Sequence, residues 1–306
     1  MTEHAPQDEA AATAFAEGAG GAWIERDVIE AVGPDTVEYL QGQLSQNVET
    51  LAEGQSRWTL LLQPQGKIDA HLRMTRVGPD RVLLDVEPGH GAAALARLER
   101  FKLRVDCQLT LSTMSTLAVR GPAAADGPDA LGIAVDADAV VVDALWAGVA
   151  GFDVLGQPPG PAGIVTLGSA TALDALRIRL GLPAMGAELG ESTIPAAAGI
   201  VDDAVDFTKG CYVGQELVAR IDSRGSNTPT HLRRVHIDVP DAAAGPAPGA
   251  AVVVDGGQVG ALTSVAATPE GGWDALAFIK RTVDVPAEAT VEGGDGPLSA
   301  RLSALR

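Results

Sequence analysis

The chain has 306 residues, 46% hydrophobic but only 4% aromatic, enough to bury a Val/Leu/Ala core spread over two or three domains. Its formal net charge of −18 excludes a general nucleic-acid binder, because no basic tract is present to neutralise phosphates. No apolar run approaches the roughly 18 residues of a membrane span, and the acidic start lacks the pattern of a signal peptide, so the cytoplasm is the expected compartment. In chain order, residues 1–20 are Ala, Glu, Gly and Asp with little periodicity, which predicts a disordered tail. Ala22-Trp23-Ile24 reads as a short strand, and Gly33-Pro34-Asp35 opens a helix with Val37, Leu40 and Leu44 on one face. The polar second half of that helix, Gln41-Gly42-Gln43 and Ser45-Gln46-Asn47, suits either a cavity or solvent. Strands follow over 58–62, 68–77 and 81–86, with turns at 63–67 and at Gly78-Pro79-Asp80. A helix over 92–101 turns Leu95, Leu98 and Phe101 inward, and strands return at 105–111 and 117–120. Beyond a connector at 121–127 lie strands at 139–145 and 152–155, then a helix over 171–180 stopped by Gly181. Residues 241–249 form a Pro/Ala/Gly linker, and short strands with tight turns from Val252 to Lys280 make a small barrel. Strands mixed with single helices predict antiparallel α+β modules rather than a doubly wound parallel sheet.

Chemistry concentrates in Lys209-Gly210-Cys211-Tyr212-Val213-Gly214-Gln215-Glu216. The octapeptide holds one of two cysteines, one of four lysines and two glycines that allow close approach of the backbone. Leu217, Val218 and Ile221 with Gly225 as a stop predict a helix from Gln215 to about Arg224. Cys211 then lies just before a helix N-terminus with Lys209 nearby, conditions that lower a thiol pKa below about 8.5. The plain alternative is a tight loop around a small buried thiol, which such polar density argues against. Arg220, Arg224, Arg233 and Arg234 form a candidate cation cluster for an anionic ligand, or else a solvated face. Cys107 and Cys211 make neither a disulfide framework nor a CxxC, and the five histidines are scattered, so no metal site is predicted.

The octapeptide, running on into Leu217-Val218-Ala219-Arg220, resembles the signature of the YgfZ family of folate-binding proteins, relatives of the glycine-cleavage T-protein and of iron–sulfur assembly factors. Gly33-x-Asp35 with Leu40-Gln41-Gly42-Gln43 resembles the family's first helix. Arg177-Ile178 through Gly181, Pro183, Gly186 and Glu188, then Ile194-Pro195, matches the segment before the signature. Gly260-x-x-Thr263-Ser264 and Ala277-Phe278-Ile279-Lys280 resemble its terminal barrel. The resemblance implies two interleaved ferredoxin-like α+β modules and a C-terminal β-barrel around a central cavity. The first module would comprise 21–50 and 113–205, the second 51–112 and 206–235, and the barrel 236–306.

It also implies tetrahydrofolate as cofactor and iron–sulfur proteins or their assembly factors as partners, with a link to tRNA modification but no nucleic acid or membrane bound. Cys211 would be the functional thiol. Lys209 and Arg220 would meet folate carboxylates or the thiolate, Tyr212 would pack on a ring, and Gln215 and Glu216 would hydrogen-bond a pterin or hold the loop. For Tyr212 and Glu216, loop packing and helix N-terminal charge serve equally well. Gln41, Asn47, Lys67 and His71 would complete the ligand cavity. The T-protein's Asp pair falls on Ala70 and His71, with Asp69 displaced by one residue, and its folate-ring glutamate falls on Arg179. Those departures count against aminomethyl transfer, which is kept as an alternative beside a noncatalytic folate-sensing scaffold.

Overall fold

Two long strands carry the architecture of this computed structural model, which describes residues 5–160, 162–225, 227–238, 245–294 and 296–305. They are β1 (Gly20–Val32) and β5 (Gln108–Arg120), paired antiparallel along their full 13 residues. Before and between them lie α1 (Ala5–Glu17), α2 (Thr36–Gln43), β2 (Ser56–Leu62), β3 (Ile68–Gly78), β4 (Arg81–Val86) and α3 (Gly91–Phe101). After β5 and a 3-10 turn at Pro122–Asp126 come α4 (Gly127–Ala130), β6 (Val140–Asp143), β7 (Gly151–Leu155), β8 (Thr166–Gly168) and α5 (Ala170–Leu180). Three short helices follow, α6 (Pro195–Ala198), α7 (Val201–Ala204) and α8 (Gln215–Asp222). The strands line up as β2-β3-β4-β1-β5-β7-β6, with β8 parallel to the start of β1.

The sheet is an open half-barrel whose two ends approach across its hollow. Trp58 on β2 donates from Nε1 to the Leu145 carbonyl at 2.9 Å, and Arg73 on β3 reaches the Asp143 carbonyl at 3.0 Å. On the convex side the largest core cluster joins α2, β2, β3, β4 and α3, with Leu40, Leu61, Leu72 and Leu98 fully buried. A closed barrel then forms from β9 (Thr230–Asp238), β10 (Ala251–Val254), β11 (Gly257–Ala267), β12 (Trp273–Lys280), β13 (Ala287–Gly293) and β14 (Gly296–Ser303), in the order β10-β11-β12-β9-β14-β13. Buried Glu188 ties it to the modules: its Oε1 accepts from Thr263 at 2.7 Å and Ser264 at 2.5 Å, and its Oε2 from Arg177 at 3.1 Å.

The fold is α+β with a closed C-terminal barrel as expected, with several local corrections. Residues 5–17 are not a disordered tail. They form α1, because Ala11 and Phe15 bury against Ala22, Ala118 and Leu173. The strand at Ala22 runs on to Val32, and the expected strands at 105–111 and 117–120 are one strand that begins at Gln108, since β1 and β5 pair along their whole length. The barrel begins at Thr230 rather than 236, because β9 sits between β12 and β14. Of the expected linker, residues 241–244 lie outside the described residues, as do residues 1–4 of the expected tail.

Candidate functional site

The signature octapeptide forms a braced loop between α7 and α8. Gly214 has φ +84°, and a Cβ there would stand 2.5 Å from the Gln63 carbonyl oxygen. Facing it, Gly66 has φ +71°, and a Cβ there would stand 2.8 Å from that of Leu217. Only glycine satisfies both the left-handed conformation and the contact, so the turn between β2 and β3 can pack onto the start of α8. Gln215 closes the loop from within by accepting from the Tyr212 N–H at 3.2 Å. The Tyr212 ring is buried in the main core, and burial pushes its phenol up to about 12.

Lys209 points into the protein. Its ammonium donates to the carbonyls of Gln41 and Leu44, each at 2.5 Å, and of Gln46 at 3.3 Å. All three protons are thereby placed on the C-terminal end of α2, where carbonyls lack helical partners. Burial lowers its pKa to about 8, so it remains charged at neutral pH. Gln41 and Asn47 belong to the same knot: Gln41 accepts from the Val48 N–H at 2.8 Å, and Asn47 accepts from the Thr50 N–H at 3.3 Å. Cys211 is exposed at the surface of this braced loop, as are Glu216 and Arg220. Lys67 is half-buried in the turn beneath it.

A separate cleft opens on the concave face of the sheet, with a volume of about 80 Å³. It holds His71, whose ring stacks on Trp58 with centroids 4.5 Å apart and an interplanar angle of 26°. Burial pushes the imidazole down to about 4, so it is neutral at physiological pH, and its Nε2 is buried with no hydrogen-bond partner among the described residues. Behind it runs an ion network from β1 to β7. Asp85 accepts from Arg26 at 2.9 Å and Arg73 at 2.8 Å, and Asp153 accepts from Arg73 at 2.5 Å and Arg120 at 2.7 Å. Burial opposes the Asp153 charge, but Arg120 and Arg73 outweigh it and hold the carboxyl below its ordinary value. The Arg120 guanidinium lies 4.3 Å over the Trp146 ring, and its Nε is likewise buried without a hydrogen-bond partner among the described residues.

The structure therefore divides the predicted residues. Lys209, Tyr212, Gln215, Gln41 and Asn47 meet in the signature knot, with Lys67 in the turn beside it, whereas His71 lies in the cleft, whose lining includes none of the octapeptide. Asp69 sits at a slip in register between β2 and β3, and its carboxylate bonds Arg97 of α3 at 3.1 Å. Arg179 does not line the cleft; it reaches Asp274 at 3.4 Å beside the barrel, while Arg177 is the α5 arginine on the cleft. Arg233 and Arg234, adjacent on β9, point to opposite faces, so the four arginines make no single cation cluster. The sequence reading missed Arg26, Arg73, Asp85, Arg120 and Asp153. The available signal was Arg73 itself, a charge between Leu72 and Met74 on a strand whose residues from Ala70 to Thr75 are buried on both faces. A larger cleft of about 460 Å³ lies between α1, α5 and β11, away from both sites. Its Asp8 is already bound to Ser169, and none of the unpartnered buried atoms lies on its lining.

Residues 26–154 match the GCVT N-terminal domain. The chain is 30% identical over 223 residues to the tRNA-modifying protein YgfZ of Edwardsiella ictaluri, covering 65% of each chain. It is 29% identical over 215 residues to the tRNA-modifying protein YgfZ of Pectobacterium carotovorum subsp. carotovorum, covering 64% of each. It thus spans slightly less than two thirds of the length of these curated relatives. The crystal structure of glycine cleavage system aminomethyltransferase T from Bartonella henselae superimposes with a TM-score of 0.82 at 22% identity, covering 97% of this chain and 88% of that one. No helix among the described residues is long and apolar enough to cross a membrane. The chain is thus similar in sequence to YgfZ proteins over about two thirds of its length and shares the fold of aminomethyltransferase T.

Proposed function

We propose that the chain is a cytoplasmic folate-binding protein that supports the assembly or repair of iron–sulfur enzymes, with tetrahydrofolate in the concave cleft and Cys211 as the functional thiol. The observation that carries the ligand site is the pair of unpartnered buried atoms, His71 Nε2 and Arg120 Nε, on residues lining one cleft. Each such atom costs about 1–3 kcal/mol while unmet, which a ring with polar edges can recover. The cleft volume of about 80 Å³ is below the range of about 300–1,000 Å³ of drug-sized sites, so the reading assigns the cleft to the ring of the folate and leaves its tail outside. When bound, tetrahydrofolate supplies one-carbon chemistry; the chain's own residues orient its ring and exclude water.

Aminomethyl transfer is not part of the proposal. Ala70 packs in the convex core, His71 is neutral, and Asp69 is held by Arg97, so no free carboxylate stands where the T-protein's acids would. The signature knot has a different task on this reading: Lys209 and Gln215 hold a loop that presents Cys211 to a partner. The tRNA modification named for the relatives would then act through a client enzyme, in keeping with a net charge of −18. The test is a deletion strain assayed for several iron–sulfur enzymes and complemented with wild type or Cys211→Ala. Activities that fall on deletion and return only with wild type support the reading. Activities untouched by deletion remove it.

A further inference from the structure

The acids lining the cleft are Glu87, Asp153 and Asp203, and they are not equivalent. Both oxygens of Asp153 are engaged by arginines, and Asp203 has interactions of its own. Glu87 follows β4 and retains 30% of its side-chain exposure. Among the described residues its ion-pair partner is Arg26, whose Nη1 stands 3.8 Å away, beyond hydrogen-bond length, and Arg26 is held through Nε by Asp85 at 2.9 Å. No hydrogen bond reaches the Glu87 carboxylate among the described residues, so both oxygens are free to accept. The backbone just beyond it is fixed, because Asp27 accepts from the N–H groups of Gly89 at 2.8 Å and Gly91 at 3.0 Å. Glu87 and His71 line the same cleft, together with Trp58.

A carboxylate with two free oxygens on an anchored stretch of backbone can recognise two parallel donors, as in an amino group beside a ring N–H. We propose that Glu87 reads the heterocycle of the ligand, pairing with the 2-amino and adjacent ring N–H edge of a reduced pterin while the His71–Trp58 stack flanks the ring. This rests on the folate reading above and adds the residue that sets ring specificity. The position does not coincide with Arg179, where the resemblance put the ring glutamate: Glu87 lines the cleft and Arg179 does not.

The experiment titrates 5-formyltetrahydrofolate and its 2-desamino analogue into the full-length wild type, Glu87→Gln and Asp203→Asn. Loss of a charge-assisted pair should weaken folate binding to Glu87→Gln about tenfold or more. The analogue, lacking one donor, should bind wild type and Glu87→Gln with nearly equal affinity, so the discrimination between the two ligands collapses in the variant. Asp203→Asn should keep that discrimination. Unchanged discrimination in Glu87→Gln, or its collapse in Asp203→Asn alone, overturns the assignment while leaving folate binding intact. Failure of wild type to bind either ligand overturns the folate reading together with it.

Discussion

His71 should make this protein lose stability in mild acid by an amount the structure fixes. The imidazole is buried on the Trp58 ring and its pKa falls to about 4, against an ordinary value of about 6.5. Between those values the unfolded chain binds a proton that the folded chain does not, so stability rises with pH through this window and falls as the solution is acidified. Glu87 and Asp203 favour the charged form and Arg26 opposes it, but burial outweighs them all. Integrating the linkage gives about 2 kcal/mol lost by pH 5 and about 3 kcal/mol by pH 4, with almost nothing lost at pH 7. Other groups titrate in the same range, so the measurement is a difference. Urea unfolding of wild type and His71→Gln at pH 7, 6 and 5 should show wild type losing about 2 kcal/mol more than the variant between the extremes. Parallel pH profiles would refute the reasoning, because His71 would then be hydrated or paired in the folded state.

Arg73→Met should destabilise the fold by about 3–5 kcal/mol in the same assay, since it leaves Asp85 and Asp153 with one arginine each in a buried network. Phe15→Ala should cost about 3–5 kcal/mol if α1 is integral to the fold, whereas a detached tail would give no change in the unfolding midpoint. Alkylation at neutral pH should modify exposed Cys211 well before buried Cys107; equal rates would contradict the placement of the signature loop.

Where local pattern and tertiary structure agree, the sequence was legible. The hairpin through Gly78-Pro79-Asp80, the inward Leu98 of α3 and the Gly181 stop of α5 all follow from periodicity and turn chemistry. α1 was opaque because its Ala-rich sequence has almost no amphipathic stripe; only Ala11 and Phe15 find the core, and only once β1 and α5 are in place. β5 was split in the reading because its first half alternates weakly, with Thr and Ser carrying the extended conformation, and β1 supplies the rest through hydrogen bonds. At the site, chemistry-bearing residue types were visible but not their direction. Lys209 was read as a cation for a ligand, whereas its acceptors are carbonyls more than 160 residues away in the chain. The cleft was hidden for the same reason: Arg73 and Asp153 lie 80 residues apart and meet only because the sheet curls.

The central claim is that the concave cleft holds a folate. Titration calorimetry of tetrahydrofolate into the intact chain, repeated with His71→Phe, tests it most directly. The account predicts saturable binding at a single site in wild type and at least about a tenfold loss in the variant, whose ring keeps the stack on Trp58 but offers no nitrogen to the ligand. An absence of binding in wild type, or equal affinity in the two proteins, would contradict it.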